Sequence, residues 1–282
     1  PLLKQPLPSE VPGVKFKQVF YNQLPKEERE KVPWYKKDRS RPVKKFSKKR
    51  NKYITTYPYK IQQPPRRAPG DLKRATAFCV HISAGGKTID QVVRVLNKKN
   101  LNVHFLIGIN GEVIQGTPLT KQTWAQNFLN GRAISFEVIN PSLVGIPDKK
   151  SRYKLGPQVQ LEALWQTILK VQKFLKEQGV NIPLRCMEKQ GDKFLFGILP
   201  YRYEANRKGI VAHGSCRQVD PVVKAKAKGT PEWNRLANKQ HSDGRPEVYY
   251  CQLRALGISP DDAYKKTLQV ISELKKSELV SL

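Results

Sequence analysis

Only four histidines occur in the 282-residue chain, and two of them stand where metal chemistry would want them. His81 lies at the end of one apolar run, and His213 at the end of another, followed by Gly214-Ser215-Cys216-Arg217-Gln218-Val219-Asp220-Pro221. Two imidazoles at strand ends with a nearby carboxylate are enough for a catalytic zinc site. They supply three protein ligands and leave the fourth position to water. The same residues also read as ordinary satisfied polar groups, and their types alone leave that choice open. His241 sits in a polar stretch, Asn238 to Gly244, and takes no role.

The elements that would position these residues can be read from periodicity. Residues 75–82 (ATAFCVHI) predict a buried strand, and Thr88 caps a helix with Ile89, Val92, Val93 and Leu96 on one face. Residues 103–109 predict a strand, Asn110-Gly111 a tight hairpin, and 112–115 its return. A further strand is expected over 133–139. Pro157 opens a long helix whose apolar face is Leu161, Leu164, Trp165, Ile168 and Leu175. Residues 181–208 read as an irregular insertion, 209–213 as a strand and 221–257 as mostly irregular. Ser259-Pro260 starts a last helix with Leu268, Ile271 and Leu274 on its apolar face. The order β-α-β-β-β-α-β predicts an α/β fold, a mixed central β-sheet flanked by helices.

Charge bounds the partners. With 52 Lys+Arg against 23 Asp+Glu the formal net charge is +29, which points to polyanionic surroundings. It is concentrated at the start: residues 1–75 hold 21 Lys+Arg, 6 Asp+Glu and 11 of the 21 prolines. Residues 1–72 are therefore expected to be an extended, basic, Pro-rich arm. Aromatics interleaved with the charge, among them Phe16, Phe20, Trp34, Phe46 and Tyr53, suggest that it docks on something. A domain over 73–225 and an extension over 226–282 ending in a helix complete the expected organisation. Four scattered cysteines without a CxxC pair read as buried free thiols. No run approaches the ~20 apolar residues of a membrane helix. The first residues lack the ~7–15-residue apolar region of an export signal, so the standard secretory route is not expected.

Several stretches in order resemble the type 2 N-acetylmuramoyl-L-alanine amidases, a family that includes phage lysozyme-amidases and peptidoglycan recognition proteins. They are Val80-His81-Ile82-Ser83-Ala84, Val103-His104-Phe105-Leu106-Ile107, Asn110-Gly111-Glu112-Val113, Trp124-Ala125, Ile134-Ser135-Phe136-Glu137 and His213…Asp220-Pro221. The resemblance covers roughly 75–225. It implies zinc ligands at His81, His213 and Asp220, with Cys216 as a backup, and a catalytic carboxylate at Glu137. His104 matches the family's HF pair and takes a supporting role behind the ligands. Substrate contacts are implied at Trp124, Asn127 and Arg217. Two positions depart from the family: Val103 replaces a Tyr, and Gln218 replaces the Lys that stabilises the oxyanion. Losing one charged oxyanion donor costs ~10²-fold or more in rate.

The resemblance implies a zinc-dependent hydrolase of the N-acetylmuramoyl–L-alanine bond, with peptidoglycan as substrate. It fits a phage lysin, carried in the virion or held in the host cytoplasm before lysis, acting on the bacterial wall. The arm would contact virion or other assembly proteins, or a nonspecific polyanion such as nucleic acid or teichoic acid. The alternative from another class is a structural virion or assembly protein that keeps a degenerate amidase fold for docking or peptidoglycan binding.

Overall fold

The structure is a computed structural model that describes residues 7–31, 34–37, 43–47, 52–56, 59–62, 69–83, 86–125, 130–140, 155–184, 189–190, 193–194, 209–212 and 245–280. Its centre is a six-stranded sheet built from β1 (Lys15–Phe16), β2 (Ala77–Ser83), β3 (Phe105–Ile107), β4 (Val113–Gln115), β5 (Ala133–Ile139) and β6 (Gly209–Ala212). The spatial order is β1-β4-β3-β5-β2-β6, parallel throughout except for the β3–β4 hairpin. Gly111 holds a φ of +84° in that hairpin's turn, a conformation that glycine adopts without steric cost. The expected mixed α/β architecture is present.

Both faces of the sheet are covered, which is why β2 and β5 are buried at every position. On one face Phe78, Val80, Phe105, Ile134 and Phe136 pack against α2 (Gln158–Glu177), whose Leu161, Leu164, Trp165, Ile168 and Leu175 are all buried. Pro157 caps α2 at its start without needing an N–H. One turn in, Gln160 Nε2 donates to the carbonyls of Ile107 (3.0 Å) and Ile139 (2.7 Å), fastening the helix to the ends of β3 and β5. On the other face α1 (Ile89–Lys98) packs Ile89, Val92, Val93 and Leu96 over Leu106, Ile114 and Ile139. Thr88 caps α1 by accepting from the Gln91 backbone N–H, and Gln91 Oε1 accepts in return from Lys87 N–H.

Two readings of the C-terminal part are corrected. Residues 221–257 were expected to be mostly irregular; 221–244 lie outside the described residues, and Arg245–Ala255 is a helix, α3, that buries Val248, Tyr250, Cys251 and Leu253. Its polar and apolar residues follow no helical stripe, because Glu247 and Gln252 are buried alongside the apolar ones. The last helix, α4 (Pro260–Val280), turns Ala263, Thr267 and Ile271 inward at i, i+4, i+8 and leaves Leu268 43% exposed. Its start is as expected: the Ser259 hydroxyl accepts from Asp262 N–H and donates to the Asp262 carboxylate. Of the four cysteines, Cys79 and Cys251 lie among the described residues, both buried and neither in a disulfide. Inside the 181–208 stretch, Lys189–Gln190 pairs antiparallel with Lys193–Phe194.

Residues 7–31, assigned above to the arm, pack on the domain itself. Lys15 and Phe16 pair in parallel with Ile114 and Gln115 and so supply the edge strand β1. Leu7, Val11 and Phe20 are buried. The Gln115 side chain ties the strap down, accepting from Val11 N–H (2.9 Å) and donating to the Ser9 carbonyl (2.8 Å). Asn97 at the end of α1 does the same for the Val19 carbonyl and Tyr21 N–H. Phe20 lies against bare backbone at Gly116, where an added Cβ would come within 2.7 Å of its ring.

Candidate functional site

His81 on β2 and Glu137 on β5 are direct register partners on adjacent parallel strands. Strands so paired are about 4.8 Å apart, and partners project from the same face. That face is the α1 side, since Ile139, two residues beyond Glu137, packs with α1 while Phe136 and Val138 pack with α2. Both side chains are nearly fully buried, at 3% and 6% exposure. Beneath them the strands carry small residues, with Ala77, Cys79, Ala133 and Val211 in one cluster. An imidazole and a carboxylate thus stand side by side near the carboxyl ends of the central parallel strands, where open α/β sheets place their ligands.

The neighbouring strand β6 bears on the same place. Ala212, its last residue, is in register with Val80, one step before His81. His213 is the next residue in sequence. His213 itself, Cys216, Arg217, Gln218, Asp220, Asn127 and His241 lie outside the described residues. Among the described residues no cluster of three or more His, Cys, Asp and Glu gathers. Of the three ligand positions, the structure therefore describes His81 only. Its donor chemistry suits zinc, and the carboxylate of Glu137 beside it suits proton transfer.

His104 occupies a different environment. Its ring is fully buried, and both nitrogens are engaged. Nδ1 accepts from Ser135 N–H at 3.0 Å, and Nε2 lies 3.0 Å from the Lys121 carbonyl, to which it must donate. The Ser135 hydroxyl accepts from His104 N–H and donates to Thr123 Oγ1. Burial pushes the pKa of His104 down to about 4, against the opposing pull of the Lys121 carbonyl. The ring is a neutral crosslink between β5, the start of β3 and the loop that leads to Trp124.

Asn102 holds the same loop, and nothing in the sequence singled it out. Its Oδ1 accepts from Trp124 N–H (2.9 Å) and Asn22 Nδ2 (3.2 Å), and its Nδ2 donates to Thr117 Oγ1 and the Gln122 carbonyl, both at 3.2 Å. Trp124 is half-buried. Its backbone position is thus set jointly by the strap, through Asn22, and by the residue two places before His104. The only sequence signal was a polar Asn between Leu101 and Val103 in an otherwise apolar run.

No protein-family model matches the chain, and neither does any curated protein. Among solved structures the chain is similar to the hydrolase AmiA of Staphylococcus aureus, at 15% identity over 66% of this chain and 78% of that one, with a TM-score of 0.34. It is similar to the Ph2119 endolysin from a Thermus scotoductus bacteriophage, at 14% identity over 52% and 76%, with a TM-score of 0.33. It is similar to the Drosophila peptidoglycan recognition protein SD, at 14% identity over 61% and 90%, with a TM-score of 0.35. Solved chains it is similar to include amidases, endolysins and peptidoglycan recognition proteins.

Proposed function

We propose that the chain is a zinc-dependent peptidoglycan amidase that hydrolyses the bond between N-acetylmuramic acid and L-alanine. The observation that carries this reading is the register pairing of His81 with Glu137, with β6 ending one step short of the same level. Zinc would be held by His81, His213 and Asp220, a neutral–neutral–anionic set. When bound, zinc would polarise the scissile carbonyl and lower the pKa of a coordinated water to about 7. Glu137 takes the proton of the attacking water and returns it to the nitrogen of the departing alanine. Gln218 donates a neutral hydrogen bond where charge develops on the carbonyl oxygen, with Arg217 adjacent in sequence. Trp124, Asn127 and Arg217 contact the glycopeptide. The chain would act on the bacterial wall as a phage lysin, carried in the particle with part of residues 1–72 contacting its proteins.

The test is release of peptides from purified peptidoglycan, with and without a chelator, alongside metal content. Chelator-sensitive release with new L-alanine amino termini supports the enzyme. Gln218, in place of a cationic donor, favours one second reading: a docking or peptidoglycan-binding module without turnover. Stoichiometric zinc and peptidoglycan binding with no release would establish that reading instead.

A further inference from the structure

Beyond the strap, the basic segment forms two antiparallel strand pairs, one inside the other in sequence. Trp34–Lys37 pairs with Tyr59–Gln62, and Val43–Ser47 with Lys52–Thr56. These strands carry six lysines, five aromatics and no carboxylate. Lys36 is the register partner of Lys60, and like charges directly opposite destabilise a two-stranded pair. Two-stranded pairs are in any case marginal on their own in water. A polyanion lying along the strands would remove the repulsion.

The aromatics narrow the polyanion. Phe46 is the register partner of Tyr53, and Lys44 that of Thr55, so alternation puts all four on one face. Tyr53 is 71% exposed, and Lys44 is exposed as well. Anionic wall polymers offer charge but no π-surface. Single-stranded nucleic acid offers both, and such strands are bound by basic surfaces interleaved with aromatics on which bases stack.

We propose that the paired strands within 34–62 bind single-stranded nucleic acid without sequence preference, the lysines taking phosphates and the Phe46–Tyr53 pair stacking bases. This assignment does not depend on the peptidoglycan reading.

The experiment is fluorescence anisotropy of a labelled 20-nucleotide oligothymidylate with the full chain between 50 and 300 mM salt. Replacing Lys36, Lys44, Lys45 and Lys60 by Gln should weaken binding at least tenfold at low salt. It should also flatten the log–log salt slope by about 3, at ~0.7 per phosphate contact. Phe46→Ala with Tyr53→Ala, which keeps every charge, should weaken binding about tenfold and leave the slope unchanged. A control removes four exposed lysines elsewhere, Lys99, Lys173, Lys265 and Lys266, and should alter the slope by less than 1. Thermal midpoints of all variants within a few degrees of the parent confirm intact folding. Equal losses in the control and ribbon variants would overturn the proposal, as would full binding by the aromatic variant. Displacement of the oligonucleotide by teichoic acid at equal phosphate concentration would mean that phosphate alone is read, and would overturn it too.

Discussion

His81 and Glu137 face the same side of the sheet because β2 and β5 are parallel neighbours in direct register. Neither is close to the other in sequence, and among the described residues two strands and a helix intervene. The pairing makes a pointed prediction for the carboxylate. Glu137→Gln preserves shape and removes only the proton acceptor, so peptide release should fall by ~10²–10⁴-fold. Zinc content and thermal midpoint should stay near those of the parent. Retained activity would remove Glu137 from the chemistry, and lost zinc would make it a ligand instead.

His104 should make the protein acid-sensitive over a defined range. Its folded pKa, about 4, lies below the ordinary 6.5, so between these values the unfolded chain binds a proton that the native ring refuses. Stability is complete above pH 6.5 and falls on acidification to pH 4, by about 3 kcal/mol if this group acts alone. Denaturant midpoints measured across pH 4–7 test it. A His104→Gln variant, which does not titrate, should be less stable at pH 7 by ~2–4 kcal/mol and should lose this part of the slope.

A second, separate acid response is expected where α3 meets α2. Arg254 Nε and Nη2 donate to the two oxygens of Glu162 at 2.9 and 3.0 Å, and the Tyr250 hydroxyl donates to the same carboxylate at 2.7 Å. Burial alone would raise the Glu162 pKa. The hydrogen bonds from Arg254, Gln166 and Tyr250, with the Arg254 charge, outweigh it and hold the carboxyl below its usual value. Its contribution is therefore present above pH 4.5 and lost as pH falls through the lower folded value. Arg254→Met should cost ~1–2 kcal/mol at pH 7 in chemical denaturation and flatten the stability profile below pH 4.5.

The strap should be coupled to the domain through one aromatic and one glycine. Phe20→Ala deletes a fully buried ring and should cost ~3–5 kcal/mol. Gly116→Ala places a Cβ 2.7 Å from the Phe20 ring and 2.9 Å from a Val19 methyl, and should cost ~1–3 kcal/mol by overpacking. In the Phe20→Ala background that cost should shrink, because the nearer of the two colliding atoms is gone. Additive losses in a double-mutant cycle would separate the two residues.

Much of the domain could be read from local pattern. The strands at 77–83, 105–107, 113–115, 133–139 and 209–212, the Thr88 cap and the buried face of α2 all follow from period and capping chemistry. The resemblance that singled out His81, His104 and Glu137 was carried by those same strands. Where the pattern fails, the structure gives the cause. The α3 helix buries Glu247, Tyr250 and Gln252 together with apolar residues, so no stripe marks it. Thr267 takes the inward place that Leu268 was expected to fill, because its hydroxyl is satisfied by the Ala263 carbonyl.

By itself, then, the sequence determined most of the domain's strands and the two helices that cover its sheet, with the side chains they hide, since these depend on nearest neighbours along the chain. It did not determine who sits beside whom. Strand order, and with it the pairing of His81 to Glu137, comes from crossovers that period and capping do not encode. The strap is the plainest case. Lys15 and Phe16 carry no strand signal among prolines and charges, yet the open edge of β4 offers unpaired backbone groups, and Gln115 and Gly116 provide the bonds and the space that hold the segment there. Only the tertiary structure supplies that edge.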